Sequence, residues 1–173
     1  MTSSTKWRRI MLDAKTFLVD TNVWIDYFMA SEPHYEVVLD FFEAVDKRGG
    51  TLLYAPTTLK DVFYLVPRIL RRTALTANQL DETSYVPAAW ACVRSMTEIA
   101  VAAPLSLPEC DLAWMLRNTH ADLEDNLVVA AAETCNADYV VSYDRAMLEH
   151  FSPACITPEQ ACKLLGTPSR QDR

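Results

Sequence analysis

Short apolar runs alternate along the whole chain with longer stretches in which apolar residues recur at helical spacing. Phe17-Leu18-Val19, Thr51 to Tyr54, Ile99 to Ala103 and Tyr139 to Ser142 have the length and content of strands buried in a sheet, and a further strand is predicted near Ile156. Between them, Val37, Val38, Phe41, Phe42 and Val45 mark a helix over roughly 34–48, stopped by Gly49-Gly50. Leu59, Val62, Phe63, Val66, Ile69 and Leu70 mark the buried side of another, begun at Thr57 or Thr58 and kinked at Pro67. Residues 73–85 are polar and read as a loop. Pro87 fits the first turn of a helix carrying Trp90, Val93 and Met96. A shorter helix follows Asp20 or Thr21 to about Met29. Ser106 and Glu109 form a capping box around Pro108 and open a helix to about Asn118. Asp122 caps a helix with Leu127, Val128 and Ala131 inward. A short helix after Asp144 and a last one from Pro158 to Leu165 complete the pattern.

Strands alternating with helices imply an α/β fold, with a mostly parallel central sheet of four to five strands and helices on both faces. Ligands of such sheets gather at the carboxyl ends of the strands. Four aspartates occupy those places. Asp20 and Asp144 end two predicted strands, Asp61 lies in the first turns of the helix after a third, and Asp125 opens an apolar helix. Each has an ordinary role open to it, as a helix cap, a turn former or a first-turn acid favoured by the helix dipole. Brought together, they would repel one another and raise each other's pKa. The sequence is expected to supply no cation to neutralise them, and a hard divalent ion with oxygen ligands is the simplest remedy. The chemistry this suggests is metal-assisted phosphate-ester hydrolysis, in which the ion binds both water and phosphate oxygens.

Composition narrows this further. At 173 residues the chain is long enough for one domain with a substantial core, and 50% hydrophobic and 23% charged residues are ordinary for a globular protein. The net charge of −7 argues against a broad basic nucleic-acid surface, but site carboxylates balanced by a metal are compatible with a nuclease. Lys6, Arg8 and Arg9, and Arg68, Arg71 and Arg72, form the main basic clusters and read first as solvated faces. Only three glycines occur, which excludes a glycine-rich phosphate loop. The five cysteines are widely spaced without a Cys-x-x-Cys pair, as expected for reduced thiols in the cytoplasm. No run approaches the roughly 18 apolar residues of a membrane span, and the N-terminus lacks the apolar stretch of a secretory signal. His34, His120 and His150 read as peripheral, and Trp24, Trp90 and Trp114 as core.

The ordered set of segments resembles the PIN-domain nucleases, which include the VapC-like toxins of bacterial type II toxin–antitoxin pairs. The set is FLVDTN, an acid in the helix after the second strand, DLEDNLVVAAAETCNADYVVSYD and a closing strand with ITPEQ, spanning about Thr16 to Leu165. The resemblance implies a PIN-like three-layer sandwich over residues 16–166, with 1–15 as an N-terminal extension and 167–173 as a tail. It implies Mg²⁺ or Mn²⁺ as cofactor and RNA as substrate. Asp20, Asp61, Asp125 and Asp144 take the catalytic and metal-binding positions. Asp122, one helical turn before Asp125, is an outer ligand or an anchor behind the ligands. Asn22 and Ser142 stand behind the metal-binding acids, and Ser142 orients Asp144 or a water. A homodimer and an antitoxin protein are the implied partners. Aromatic residues of the early helices, Trp24, Tyr27, Phe28 and Phe63, are more than one small core would be expected to hold, which also suggests pairing of two copies. Two positions depart from the family pattern: Asp61 stands where Glu is more usual, and Tyr143 replaces a basic residue. They underlie an alternative reading, a degenerate PIN fold that binds RNA or a protein without cleaving.

Overall fold

The computed structural model describes residues 14–76 and 84–167. Most of the expected N-terminal extension, with Lys6, Arg8 and Arg9, lies outside these residues, as do the middle of the expected 73–85 loop and nearly all of the expected tail. The elements in order are β1 (Thr16–Val19), α1 (Thr21–Phe28), α2 (Tyr35–Arg48), β2 (Thr51–Tyr54), α3 (Pro56–Thr76), α4 (Tyr85–Ile99) and β3 (Val101–Ala102), then α5 (Leu107–Leu116), α6 (Leu123–Thr134), β4 (Tyr139–Val141), α7 (Arg145–His150), β5 (Cys155–Ile156) and α8 (Pro158–Leu164).

The five strands form one sheet in the order β3-β2-β1-β4-β5, and every neighbouring pair is parallel. Period-two alternation divides their side chains between two cores. Phe17, Val19, Leu52, Tyr54, Val141 and Ile156 face a core completed by Trp24, Phe41, Val62 and Met96. Leu18, Leu53, Val140 and Cys155 face the other, completed by Val128, Ala131 and Met147. Both faces are therefore covered by helices, which is why the strands read as unbroken apolar runs. Phe17, Leu18, Val19 and Trp24 are wholly buried. Each large side chain of this kind contributes about 1.5–3 kcal/mol of transfer free energy.

Several expectations change. The aromatic residues of the early helices fit into the core: Trp24 is wholly buried, Phe28 stacks on it at 6.0 Å, and Tyr27 stacks on Phe42 at 4.2 Å. Trp90 and Trp114, expected inside, are 60% and 65% exposed. Each falls on the outward side of its helix, a distinction that short apolar patterns do not resolve. The third strand is only Val101–Ala102, because α4 continues through Ile99. Helix α3 begins at Pro56 and runs through Pro67 to Thr76. Proline suits the first helical position, where its missing N–H has no intrahelical partner. Gly49 ends α2 in the left-handed conformation at φ 67°, as the Gly49-Gly50 stop predicts. Among the described residues, no helix is long and apolar enough to cross a membrane.

Candidate functional site

Strand order reverses between β1 and β4, and open parallel sheets bind ligands at such a switch point. A cleft of about 710 Å³ opens there. One side is acidic, formed by Asp20, Asp61, Asp122, Glu124, Asp125 and Asp144. The other is a face of α3 carrying Lys60, Tyr64, Leu65 and Arg68. All four aspartates singled out as catalytic therefore line one cleft, together with Asp122.

Asp20 is held most firmly. It caps α1, with Oδ1 accepting from Thr21 N–H at 2.6 Å. Its Oδ2 accepts from Ser142 Oγ at 2.6 Å and from Asn22 Nδ2 at 2.7 Å. Ser142 is wholly buried, and its Oγ also accepts from Asp144 N–H at 2.8 Å. Asn22 Oδ1 accepts from Tyr143 N–H at 3.1 Å. Asn22 and Ser142 thus tie the end of β1 to the end of β4. Ser142 holds the Asp20 carboxylate and the Asp144 backbone rather than the Asp144 side chain. Burial raises the pKa of Asp20, with smaller raising contributions from Asp125 and Asp144, against the lowering effect of its hydrogen bonds.

Asp122 caps α6, with Oδ1 accepting from the N–H groups of Glu124 at 2.8 Å and Asp125 at 3.2 Å. Asp144 caps α7 through Met147 N–H at 2.9 Å. These are the ordinary roles open to both residues, and their remaining oxygens still border the cleft. Asp125 Oδ2 meets His120 Nε2 at 2.7 Å, and His120 Nδ1 meets His150 Nδ1 at 2.8 Å. A carboxylate only accepts, so His120 donates from Nε2; in the neutral pair its Nδ1 then accepts from His150. His120 is only 5% exposed and also packs against Phe151. The expectation that the histidines are peripheral therefore fails for His120, which props the Asp125 carboxylate. Burial is the main cause raising the Asp125 pKa.

Asp61 sits in the second turn of α3, with Lys60 Nζ 3.1 Å away. The same Nζ is 3.9 Å from Glu124. The acids are thus not without a cation, contrary to the sequence reading, although Lys60 reaches only this edge of the cluster. Asp61 Oδ2 is buried with no ordinary hydrogen-bond donor. Glu124 lies beside the Asp61 carboxylate, and this neighbour is the largest cause pushing the Glu124 pKa up to about 7, followed by burial. Glu124 and Lys60 escaped the sequence reading. Glu124 looks like a first-turn helix acid, and Lys60 gains meaning only from its position beside Asp61. Tyr143, at the basic position of the pattern, turns away from the cleft. It stacks on His34 at 4.0 Å and donates from its hydroxyl to Glu159 at 3.0 Å.

The donor set suits a hard divalent cation in kind. It consists of carboxylate oxygens, several still able to accept, with an orphaned Asp61 oxygen among them. The oxygens do not yet meet at one point. Among the described residues, no three Asp, Glu, His or Cys side chains stand close enough to hold a metal.

Comparison with known proteins bears on the same region. No curated protein matches the chain. A family model described as the PIN domain matches residues 16–146, from β1 to the start of α7, and includes every acid of the cleft. With that match over most of its length and this parallel sheet, the chain belongs to the PIN-domain family, whose members are generally nucleases.

Proposed function

We infer that the chain is a Mg²⁺- or Mn²⁺-dependent endoribonuclease that hydrolyses RNA phosphodiester bonds, and that it serves as a VapC-like toxin. The observation that carries the nuclease reading is the convergence of Asp20, Asp61, Asp125 and Asp144, from four separate elements, on one cleft at the switch point of the sheet. Asp20, Asp125 and Asp144 would hold the ion, with Asp61 reaching it directly or through a water. Bound there, the ion would supply an activated water and offset charge on the phosphate. The chain's own part is preorganisation. Thr21, Asn22 and Ser142 fix Asp20, His120 fixes Asp125, and Asp122 holds the first turn of α6. The toxin role, pairing of two copies and an antitoxin partner follow from the resemblance.

A second reading, a PIN fold that binds without cutting, is favoured by Lys60 at the Asp61 edge and by the open spacing of the acids. Cleavage of a labelled RNA in Mn²⁺ and in EDTA separates the two. Wild type is expected to cut only with Mn²⁺. Asp20→Asn, which keeps the shape but removes the charge, should lose activity by orders of magnitude, because the metal contributes several kcal/mol of transition-state stabilisation. Equal cleavage by both proteins would end this assignment.

A further inference from the structure

Besides Asp61, α3 presents to the cleft side chains that hold no metal, and their chemistry is specific. Lys60, Tyr64 and Arg68 follow one another at i, i+4 and i+8 on one face of the helix and line the same cleft as the acids. Tyr64 is 59% exposed. Its ring packs edge-on against Phe63 at 5.2 Å, and Phe63 meets the exposed Trp90 of α4 at 4.9 Å. Phe63 is thus a half-buried support between two exposed aromatic rings. Arg68 is exposed and makes no ion pair among the described residues.

In a core, such rings would be covered. Here the exposed Tyr64 stands one helical turn from a cation on either side, inside the cleft. A positive, aromatic face opposite a carboxylate cluster matches what a single-stranded nucleic acid presents. Its phosphates pair with Lys and Arg, and its unstacked bases lie on aromatic rings. A duplex keeps its bases stacked inside and offers Tyr64 nothing. With a net charge of −7, the protein also needs local cations where a polyanion approaches.

Building on the nuclease reading, we propose that this face of α3 positions single-stranded RNA in the cleft, with Tyr64 stacking on a base and Arg68 contacting a phosphate. Lys60 sits nearest the acids and brings the next phosphate toward them. Trp90 extends the aromatic surface beyond the cleft and takes a neighbouring base.

The test is binding of full-length protein, with Mn²⁺ present, to a fluorescent single-stranded RNA 12-mer with phosphorothioate linkages that resist cleavage. Anisotropy is read at several salt concentrations, with a duplex of the same sequence as a second probe. Tyr64→Ala should weaken single-strand binding about tenfold, Tyr64→Phe should leave it within about twofold, and Arg68→Ala should reduce the slope of log K against log salt by about 0.7. Both side chains are exposed, so these variants should melt with wild type. Single-strand binding unchanged in Tyr64→Ala and Arg68→Ala would overturn the proposal, as would duplex binding as tight as single-strand binding, or no RNA binding by wild type. If the variants lose binding as expected but wild type does not cleave unmodified RNA, the nuclease reading fails while the positioning face stands. If wild type cleaves and the variants bind normally, the reverse holds.

Discussion

At the scale of single residues, the cleft depends on side chains that hold other side chains. His120 is the clearest. Its Nε2 fixes one oxygen of Asp125, a residue that lines the cleft. His120→Ala removes that donor and opens a void beside His150 and Phe151. Supporting partners of this kind are typically worth 10–100-fold in metal affinity or activity. A loss of about that size is expected in kcat/KM and, separately, in Mn²⁺ affinity measured by titration. His120→Gln places an amide N–H near the position of Nε2 and should recover most of both. Equal losses in the Ala and Gln variants would show that His120 acts only by filling space. This residue was not legible from sequence. A buried histidine and a surface one look alike until the fold places Asp125 beside it. That the four aspartates would share one cleft was legible because three of them follow or open apolar runs, Asp61 lies early in the helix after a strand, and the topology fixes where such ends lie.

At the scale of elements, strands and helix starts were largely readable, and orientation was not. Phe17-Leu18-Val19 and Tyr139 to Ser142 mark their strands because both faces are covered, which removes polar positions from the run. Trp90 and Trp114 face outward on helices that also expose Val86, Ile99, Leu107 and Met115, so apolar spacing alone does not say which face is inward. Pro56 and Ile99 set helix limits a residue or more away from those expected, the usual uncertainty at helix ends. The first turn of α6 permits a test that separates capping from metal binding. Asp122→Ala removes the acceptor for Glu124 N–H and Asp125 N–H and should cost about 1 kcal/mol in a urea melt. Asp122→Asn keeps an acceptor oxygen, caps nearly as well, and should retain stability and most cleavage activity. Loss of all activity in Asp122→Asn, with normal stability, would instead make this carboxylate a ligand.

At the scale of the whole molecule, the fold concentrates carboxylates that the free chain keeps apart. Asp20 and Asp125 have raised pKa values, burial being the largest cause, and Glu124 is raised to about 7, chiefly by Asp61. A raised carboxyl pKa means that the folded state holds protons more tightly than the unfolded chain. Without metal, stability should therefore fall as pH rises from the ordinary Glu124 value of 4.5 through about 7. A divalent cation held by these acids would compete with those protons and would bind only where the fold has brought the acids together. The most direct measurement of the account is thus the melting temperature with and without Mn²⁺, for wild type and Asp125→Asn, at pH 6 and pH 8. Mn²⁺ at a hundred times its Kd should stabilise wild type at pH 8 by about 2.7 kcal/mol, a rise on the order of 5–10 °C for a domain of this size. The rise should be smaller at pH 6, and smaller in Asp125→Asn at both pH values. Equal Mn²⁺-induced shifts in the two proteins, or none in wild type at pH 8, would contradict the claim that these acids form a metal site.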